Sequence, residues 1–233
     1  MPKRARVLVA IDGPAGAGKS TVARRVAERL DMVLVDTGAL YRCVALAASR
    51  AGLAFSDEEP VGALAARLAE ARAIRLEADK ERGVRALLEG EDVSIAIRTP
   101  EMSLGASQVS AIPRVRDALL AMQRQAGEKG GVVLEGRDIG TVVFPDAEVK
   151  FFLTASPEER ATRRHLELVQ KGTPASFQET LADVVKRDKA DTERPVAPLR
   201  QADDAIVIDS GGKSIEDVVD EMVRLVSQRE AER

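Results

Sequence analysis

The sequence has few of the residues that form disulfides, soft-metal sites or base-stacking surfaces. Its 233 residues include one cysteine, Cys43, one histidine, His165, and no tryptophan. A single cysteine excludes an internal disulfide, and with a single histidine it also excludes a His/Cys metal site. Aromatic residues make up 3% of the chain and the net charge is −3, so no composition typical of nucleic-acid binding is present.

Long apolar runs are missing as well. The first apolar run, residues 7–11, stops at Asp12, which is too short for a secretory signal, and no run is long enough to span a membrane. The lone cysteine fits a reducing compartment, so we expect a soluble cytoplasmic protein without a membrane partner. The length allows one domain with insertions around a full core.

A phosphate-binding loop is the most informative feature. Residues 13–20 match the pattern G-x-x-x-x-G-K-[ST], between an apolar strand pattern and an amphipathic helix pattern at 21–30. Lys19 is expected to reach the β- and γ-phosphates of a nucleotide, and Ser20 to hold Mg²⁺. The alternative is a glycine-rich turn with a solvated lysine. The predicted donor-binding residues are Gly13, Pro14, Ala15, Gly16, Ala17, Gly18, Lys19, Ser20 and Thr21.

A second glycine-rich segment, residues 211–214, follows another apolar run but is not a phosphate loop. Val207 stands where the first glycine would have to be. Ser214, with Asp217 three positions later, predicts a helix N-cap instead.

Five apolar runs with helical patterns between them predict a doubly wound α/β fold with buried parallel strands. The runs are residues 7–11, 32–35, 132–134, 149–153 and 205–208. Ligands of such sheets bind at the carboxyl ends of the strands. Asp12 and Asp36, at neighbouring strand tips, are candidates for binding Mg²⁺ through water, and the alternative for each is a helix or loop cap.

Two regions lie outside this pattern. Residues 57–112 predict a helix at 61–73 followed by a hairpin with a charged turn at 79–83, inserted between two helices. The segment from 157 to about 198 predicts two helices with a break at 171–174, and these helices are a candidate lid over the phosphate site. The alternative is a solvated pair of surface helices.

Arginines cluster on two predicted helix faces and near the strand tips. One face carries Arg187, Asp191 and Arg194, and the other carries Arg160, Arg163 and Arg164. Three more lie near strand tips or beside the insert: Arg42, Arg116 and Arg137. Such spacing often produces only surface ion pairs. Transfer of phosphate between two polyanions, however, requires several guanidinium groups.

Several motifs, in the same order, resemble the bacterial cytidylate kinase family over nearly the whole length. They lie at residues 11–20, 36–42, 106–109, 113–116, 135–145 and 187–199, and the strongest is 135–145. The resemblance implies a P-loop NTPase three-layer sandwich with a five-stranded parallel sheet, an inserted monophosphate-binding domain and a helical lid. Its expected divisions are core 1–56, insert 57–112, core 113–157, lid and flanking helix 158–200, and core 201–233.

The resemblance also implies the site residues. It places Arg42, Arg137 and Arg194 on the acceptor phosphate, Thr37, Ser107, Arg116 and Asp138 around cytosine, and Arg187 and Asp191 on the ribose. Its implied catalytic set is Lys19, Arg137, Arg160, Arg164 and Arg194. The sequence departs from the family at Thr37, where relatives often carry serine, and at Ala190, where some carry a charged residue.

The implied reaction is phosphorylation of CMP and dCMP by ATP with Mg²⁺, in an enzyme expected to be a monomer. A carboxylate at Asp138 attracts the N4 amino group of cytosine and repels O4 of uracil. The alternative for Asp138 is an ion pair with Arg137 or a neighbouring arginine. The sequence does not decide whether Tyr41 belongs to the core or to the site. Cys43 is expected in the core. A monophosphate is mostly a dianion near pH 7, so no general base is expected and His165 is dispensable.

Two other functions stay open. One is a P-loop kinase acting on UMP, AMP or a small alcohol, which the motif at 136–138 and the insert disfavour. The other is a nucleotide-driven switch or ATPase. Such a protein would carry an N-K-x-D motif or a strand ending in Asp-Glu, whereas Asp209 is followed by Ser210.

Overall fold

The computed structural model describes residues 4–79, 83–170, 172 and 176–233. The strands within those residues are β1 (Leu8–Asp12), β2 (Val33–Asp36), β3 (Ile74–Asp79), β4 (Gly83–Leu88), β5 (Glu91–Asp92), β6 (Val132–Gly136), β7 (Val149–Thr154) and β8 (Ile206–Asp209). The α-helices are α1 (Lys19–Arg29), α2 (Thr37–Arg50), α3 (Glu58–Glu70), α4 (Pro100–Val109), α5 (Pro113–Gly127), α6 (Pro157–Gln170), α7 (Phe177–Glu193) and α8 (Ile215–Ala231).

The main sheet has five parallel strands in the order β2-β6-β1-β7-β8. Each of the five predicted apolar runs forms one of these strands, so the predicted α/β class and parallel sheet are confirmed. The register sets Asp12 beside Gly136, and Asp36 beside Glu135. The carboxyl ends of β1, β2 and β6 therefore meet at one edge, where a ligand site of this fold class lies.

Burial is complete only at the centre of the sheet. The residues of β1 are all buried, whereas Val33 in β2 is 53% exposed and Val207 in β8 is 49% exposed. The prediction that all five strands are buried is therefore wrong for the two outer ones. Each outer strand has one neighbour in the sheet, so part of its surface faces solvent.

Alternate side chains of β1 enter two different apolar clusters. Val9 and Ile11 pack with residues of α1 and α8, including Val22 and Met222. Leu8 and Ala10 face the other side of the sheet, with residues such as Leu134 and Phe144. Because successive side chains of a strand point to opposite faces, this alternation produces helix, sheet and helix as three layers.

The insert contains α3, a small antiparallel sheet of order β3-β4-β5, and α4. The predicted hairpin is confirmed for the described residues, and residues 80–82 of its predicted turn lie outside them. The helix predicted at 61–73 is wrong at both ends, because it begins at Glu58 and finishes at Glu70. Acidic residues in the first turn favour the earlier start, and Arg72, with φ of 50°, follows its end. Side chains of α2 and α5 share one apolar cluster with the insert, so the insert is packed firmly on its flanking helices.

The candidate lid consists of α6 and α7, which pack against each other. Of the predicted break, Gly172 forms a turn with φ of 69°, and residues 171, 173 and 174 lie outside the described residues. Ser176 caps α7, and Ser214 caps α8 with Asp217 in a reciprocal pair, as its sequence predicts. No helix in the described part of the chain is both long enough and apolar enough to cross a membrane.

Candidate active site

The loop after β1 curls around the first turn of α1. Three of its glycines, Gly13, Gly16 and Gly18, have positive φ. Gly13 is required by space as well, since a Cβ atom there would lie 2.0 Å from the carbonyl oxygen of Leu153. The glycines thus let the backbone turn its N–H groups toward a phosphate at the helix N-terminus.

Lys19 lies inside this loop. Its side chain is buried, and Nζ donates a hydrogen bond to the carbonyl oxygen of Pro14 at 2.7 Å. Burial and then the charge of Arg137 lower the pKa of Lys19, while the carboxylates of Glu135, Asp191 and Asp12 oppose that shift. The alternative of a solvated lysine is wrong, because the ammonium group is enclosed by the loop.

Glu135 is a functional candidate that the sequence motifs alone did not predict. It is the last residue but one of β6, which lies between β1 and β2 in the sheet. It is 4% exposed and accepts a hydrogen bond from the Ser20 hydroxyl at 3.0 Å through Oε2. Its other oxygen, Oε1, is buried without a hydrogen-bond partner. Burial and then the charge of Asp36 raise the pKa of Glu135 to about 7. Its position at a strand tip inside the strongest motif was the available signal.

Glu135 and Ser20 together suit a cation that also takes oxygens from a ligand. An unpartnered carboxylate oxygen and a hydroxyl are ligands that Mg²⁺ accepts, and Mg²⁺ usually binds one or two carboxylates together with substrate phosphates. Among the described residues, no group of three or more His, Cys, Asp or Glu side chains is placed to hold a metal. A metal at this edge would therefore depend on the phosphates of a bound nucleotide.

Asp12 and Asp36 both have structural partners. Asp12 accepts backbone N–H bonds from Ile139 at 2.8 Å and Gly140 at 2.7 Å, and burial raises its pKa to about 6. Asp36 caps α2 by accepting from the N–H of Ala39 and pairs with Arg42 at 2.9 Å. These are the capping roles that the alternative interpretation predicts. A role for either carboxylate in holding Mg²⁺ through water stays a prediction.

Asp138 is the centre of a buried charged group. It is 5% exposed and contacts the Arg116 guanidinium closely and the Arg194 Nη2 atom at 3.4 Å. Burial raises the pKa of Asp138, and the charges of Arg116 and Arg194 oppose that rise. The ion pair that the alternative predicts is therefore present, but with these two arginines rather than with Arg137.

Two further residues, Ser110 and Ser107, belong to this group, which we call the Asp138 group. Ser110 accepts a bond from Arg194 at 3.3 Å through its hydroxyl oxygen. The same hydroxyl donates to the carbonyl of Ser107 at 2.9 Å, which ties the expected base-binding serine to the cluster. Thr37 is buried and donates to the carbonyl of Glu135 at 2.7 Å.

A second charged group contains Arg42, Arg137, Arg187 and Asp191. Arg137 Nε donates to Asp191 Oδ2 at 2.8 Å. The Nε atom of Arg187 is buried without a hydrogen-bond partner, and burial and then the charge of Arg137 lower the pKa of Arg187 to about 10. Arg42 pairs with Asp36 and Arg137 pairs with Asp191, so three guanidinium groups meet two carboxylates here. The remaining positive charge favours an anion.

The structure thus divides the arginines differently from the family resemblance. Arg194 belongs to the Asp138 group, and its Nε donates to the carbonyl of Ala197 at 2.6 Å. Arg187 lies instead where the charges of Arg137, Asp191 and Arg42 act on it. The resemblance implied the phosphate for Arg194 and the ribose for Arg187, and these roles stay predictions.

The lid reaches the phosphate loop through Arg160. This buried side chain makes two hydrogen bonds to Asp188 of α7, at 2.9 and 2.6 Å, and donates to the carbonyl of Ala15 at 3.1 Å. Arg164 is less engaged, because it pairs with Glu167 on its own helix at 2.9 Å. Arg163 is not in the catalytic set that the family resemblance implies. It donates to the hydroxyl and the carbonyl of Ser210, which follows β8. The alternative prediction, a solvated pair of surface helices, is therefore wrong at Arg160.

Of the remaining residues singled out by the sequence, Cys43 and Tyr41 lie inside the protein and His165 is half-buried. Cys43 is fully buried, and burial raises its pKa to about 12, so its assignment to the core is confirmed. Tyr41 is buried too, with its ring against the Arg116 guanidinium. His165 makes an edge contact with Phe177 across the two lid helices, at 6.2 Å between ring centroids.

The amino-acid sequence is similar to a known family and to several known proteins. A family model described as cytidylate kinase matches residues 9–228. The cytidylate kinase of Syntrophotalea carbinolica is 56% identical, with 97% of this chain and 94% of that protein covered. The cytidylate kinase of Geobacter sulfurreducens is 53% identical, covering 97% and 95%, and that of Pseudomonas aeruginosa PAO1 is 51% identical, covering 93% of each.

A likeness among solved structures concerns the fold alone. The crystal structure of an uncharacterised protein from Eubacterium ventriosum aligns with a TM-score of 0.52 at 14% identity, covering 96% of this chain and 99% of that one.

Proposed function

We propose that this chain, which belongs to the cytidylate kinase family, transfers the γ-phosphoryl group of ATP to CMP and dCMP. The products are ADP with CDP or dCDP. The observation that carries the proposal is Asp138, a carboxylate held in the protein interior by Arg116 and Arg194. Its surroundings suit the recognition of a base that presents an amino group.

On the donor side, the backbone of residues 13–18 would bind the β-phosphate of ATP, and Lys19 would span the β- and γ-phosphates. The bond from Lys19 to Pro14 keeps the ammonium group within the loop until a phosphate replaces that carbonyl. Arg160 would lie over the transferring group, since it already touches the loop at Ala15.

The residues present fit Mg²⁺. Ser20 would hold the ion directly, and the unpartnered Oε1 of Glu135 would accept from its bound water. When bound, Mg²⁺ neutralises charge on the donor phosphates. Glu135 has a pKa raised to about 7, so a nearby cation would favour its ionised form.

On the acceptor side, Arg42, Arg137 and Arg187 would hold the phosphate of CMP. The unpaired Nε of Arg187 supports this, because a buried donor without a partner gains most from an incoming anion. Asp191 orients Arg137 and would also accept a bond from a ribose hydroxyl. This assignment moves Arg194 from the phosphate to the base.

The base would contact the Asp138 group. Asp138 would accept a hydrogen bond from the N4 amino group of cytosine, whereas O4 of uracil would face a negative charge. Guanidinium N–H groups of Arg116 and Arg194 would donate to the ring acceptors of cytosine, with Ser107 beside them. Thr37 already donates to a backbone carbonyl, so its contribution would be to position the base pocket.

The chemistry requires positioning and charge stabilisation rather than a base catalyst. The acceptor phosphate is mostly a dianion near pH 7 and supplies its own nucleophilic oxygen. The insert, residues 57–112, and the lid, residues 158–200, would exclude water from the reacting groups, while the three core segments 1–56, 113–157 and 201–233 carry the donor site.

Release of ADP in the presence and absence of each nucleoside monophosphate tests the proposal. A cytidylate kinase releases ADP only when CMP or dCMP is present, and CDP or dCDP forms in equal amount. ADP release without an acceptor would instead support a switch or ATPase. The proposal includes a cytoplasmic monomer, and sedimentation velocity would test the monomeric state.

A further inference from the structure

We propose that Tyr41 is a positioning residue for cytosine recognition, because it fixes Arg116 and thereby the carboxylate of Asp138. The inference rests on the proposed function, in which Asp138 distinguishes cytosine from uracil. It assigns a role in specificity to a residue that does not itself reach the substrate.

Tyr41 lies on α2, one residue before Arg42, and is 8% exposed. The Cζ atom of Arg116 lies over its ring, 5.6 Å from the ring centroid. A guanidinium group over an aromatic face is attracted by the ring quadrupole, more strongly when both are removed from water. Both side chains are buried, so this attraction acts with little screening.

Arg116 has three contacts that fix its direction. One nitrogen pairs with Asp138, and another donates to the carbonyl of Ser110 at 3.4 Å, a long hydrogen bond. The Tyr41 ring is the third contact and covers the guanidinium from another side. If the ring is removed, the guanidinium gains freedom to rotate away from the carboxylate, since the bond to Ser110 is weak.

The phenol of Tyr41 has a polar partner of its own. Gln123, on α5 together with Arg116, donates through Nε2 to the Tyr41 hydroxyl at 3.4 Å. The Tyr41 hydroxyl and the Gln123 amide are thus buried at the apolar cluster of the insert and its flanking helices. Packing alone would be served by an aliphatic side chain, without the desolvation cost of a hydroxyl and an amide. The polar pair adds a long contact between α2 and α5 beside the one between the Tyr41 ring and Arg116.

Displacement of Arg116 would affect Asp138 more than displacement of any other charged residue would. Burial raises the pKa of Asp138, and Arg116 is the largest influence that opposes the rise. Loss of this partner would leave a carboxyl group that is less fully ionised and less well directed. Discrimination between an amino group and a carbonyl oxygen depends on that negative charge.

The test compares kcat/KM for CMP with kcat/KM for UMP in variants of the full-length enzyme. Tyr41→Met replaces the ring by a flexible chain that fills space well. We expect it to lower the CMP-to-UMP ratio by about tenfold, equivalent to about 1.4 kcal/mol. Tyr41→Phe keeps the ring and should hold the ratio within about threefold of wild type. If Tyr41→Met does not fold, Tyr41→Leu is measured in its place.

Val44→Ala is the matched control, since Val44 is fully buried one turn further along α2 and belongs to the same apolar cluster. It should lower the melting temperature and leave the ratio unchanged. An equal fall in kcat/KM for CMP and UMP in Tyr41→Met would show a packing role and overturn the inference. An unchanged ratio in the folded variant would overturn it as well.

A double variant shows whether Tyr41 acts through Asp138. In an Asp138→Ala background, Tyr41→Met should cause no further change in the ratio, and a further change would contradict the inference. The proposed function is judged separately. If wild type shows no preference for CMP, the proposed function fails. Suppose instead that wild type prefers CMP, that Asp138→Ala removes this preference, and that Tyr41→Met retains it. In that case only the proposed role of Tyr41 is wrong.

Discussion

Arg137 and Asp191 meet across the site, with Nε of the arginine 2.8 Å from Oδ2 of the aspartate. The contact joins the residue after β6 to helix α7. Burial acts to raise the pKa of Asp191, but the charges of Arg137 and Arg187 lower it overall, so the carboxylate is held ionised. The lid helix is thereby fixed with Arg187 beside the core, where a phosphate acceptor would lie.

This arrangement predicts different effects for Arg42→Ala and Arg194→Ala. Removing Arg42 from the proposed phosphate site should lower kcat/KM for CMP and UMP by the same factor, because both carry the same phosphate. Removing Arg194 from the Asp138 group should lower the value for CMP more than that for UMP. Steady-state kinetics with both acceptors measures the difference.

Arg50→Ala is the control for these variants, since Arg50 is an exposed arginine on the same helix as Arg42 and pairs with Glu91. It should behave as wild type. Binding of a fluorescent ATP analogue should be retained in both Arg42→Ala and Arg194→Ala. Equal losses of analogue affinity and of CMP use would place these two residues on the donor side instead.

Lys19→Met should reduce phosphoryl transfer by about a hundredfold or more, since it removes the cation that stabilises charge on the transferring group. Lys213→Met is a matched control, because Lys213 belongs to the glycine-rich segment at 211–214 and pairs with Glu221 at the surface. It should keep the activity of wild type. Turnover is measured together with thermal melting, and a folded Lys19→Met enzyme with more than about a tenth of wild-type activity would contradict the assignment.

Asp138→Ala should flatten the preference for CMP over UMP. The lost charged hydrogen bond to N4 should cost the cytosine complex about 1.5–3 kcal/mol, with little loss for uracil. Asp117→Ala, at an exposed position next to Arg116 on α5, should leave both acceptors unaffected. If kcat/KM falls equally for both acceptors in Asp138→Ala, the residue only orients arginines and does not read the base.

Glu135 should make the free protein less stable as the pH rises. Its pKa is raised from 4.5 to about 7 by burial and by Asp36, so the folded state binds this proton more tightly than the unfolded state. The resulting stabilisation is fully present below pH 4.5 and is lost as the pH rises toward 7. Glu135→Gln removes the titrating group and keeps an acceptor for Ser20.

Chemical unfolding without nucleotide or Mg²⁺ at pH 5 and pH 8 measures this effect. Between these values, wild type should lose about 2–3 kcal/mol more of its free energy of unfolding than Glu135→Gln does. Asp12, whose pKa is raised to about 6, titrates in both proteins and cancels in the comparison. The same change with pH in both proteins would show that Glu135 keeps its ordinary pKa.

Local patterns predicted the parts of the fold that depend on neighbouring residues in the chain. The phosphate loop, the five strands, the hairpin and the caps at Ser176 and Ser214 all follow from short-range spacing, although only the Ser214 cap was singled out. The exposure of Val33 and Val207 could not be predicted from apolar content. It depends on which strands lie at the edges of the sheet, and strand order is set by crossovers between distant segments.

The site was predictable as a set of residues but not in its pairings. Glu135 contacts Ser20 across 115 positions, and no spacing rule connects them. Arg187 and Arg194 share a face of one helical pattern, yet the chain turns after α7 and carries Arg194 to Asp138, 56 positions away. Sequence periodicity shows which side chains face the same way. It does not show which distant carboxylate each one meets.

The most direct measurement is the rate of nucleoside diphosphate formation by wild type from CMP, dCMP, UMP, AMP and GMP, each with ATP and Mg²⁺. We expect CDP and dCDP to form with the highest kcat/KM, UMP to be used at least about tenfold less efficiently, and the purine monophosphates to be poor acceptors. Equal use of CMP and UMP, or a preference for AMP or GMP, would contradict the claim that the Asp138 group recognises cytosine.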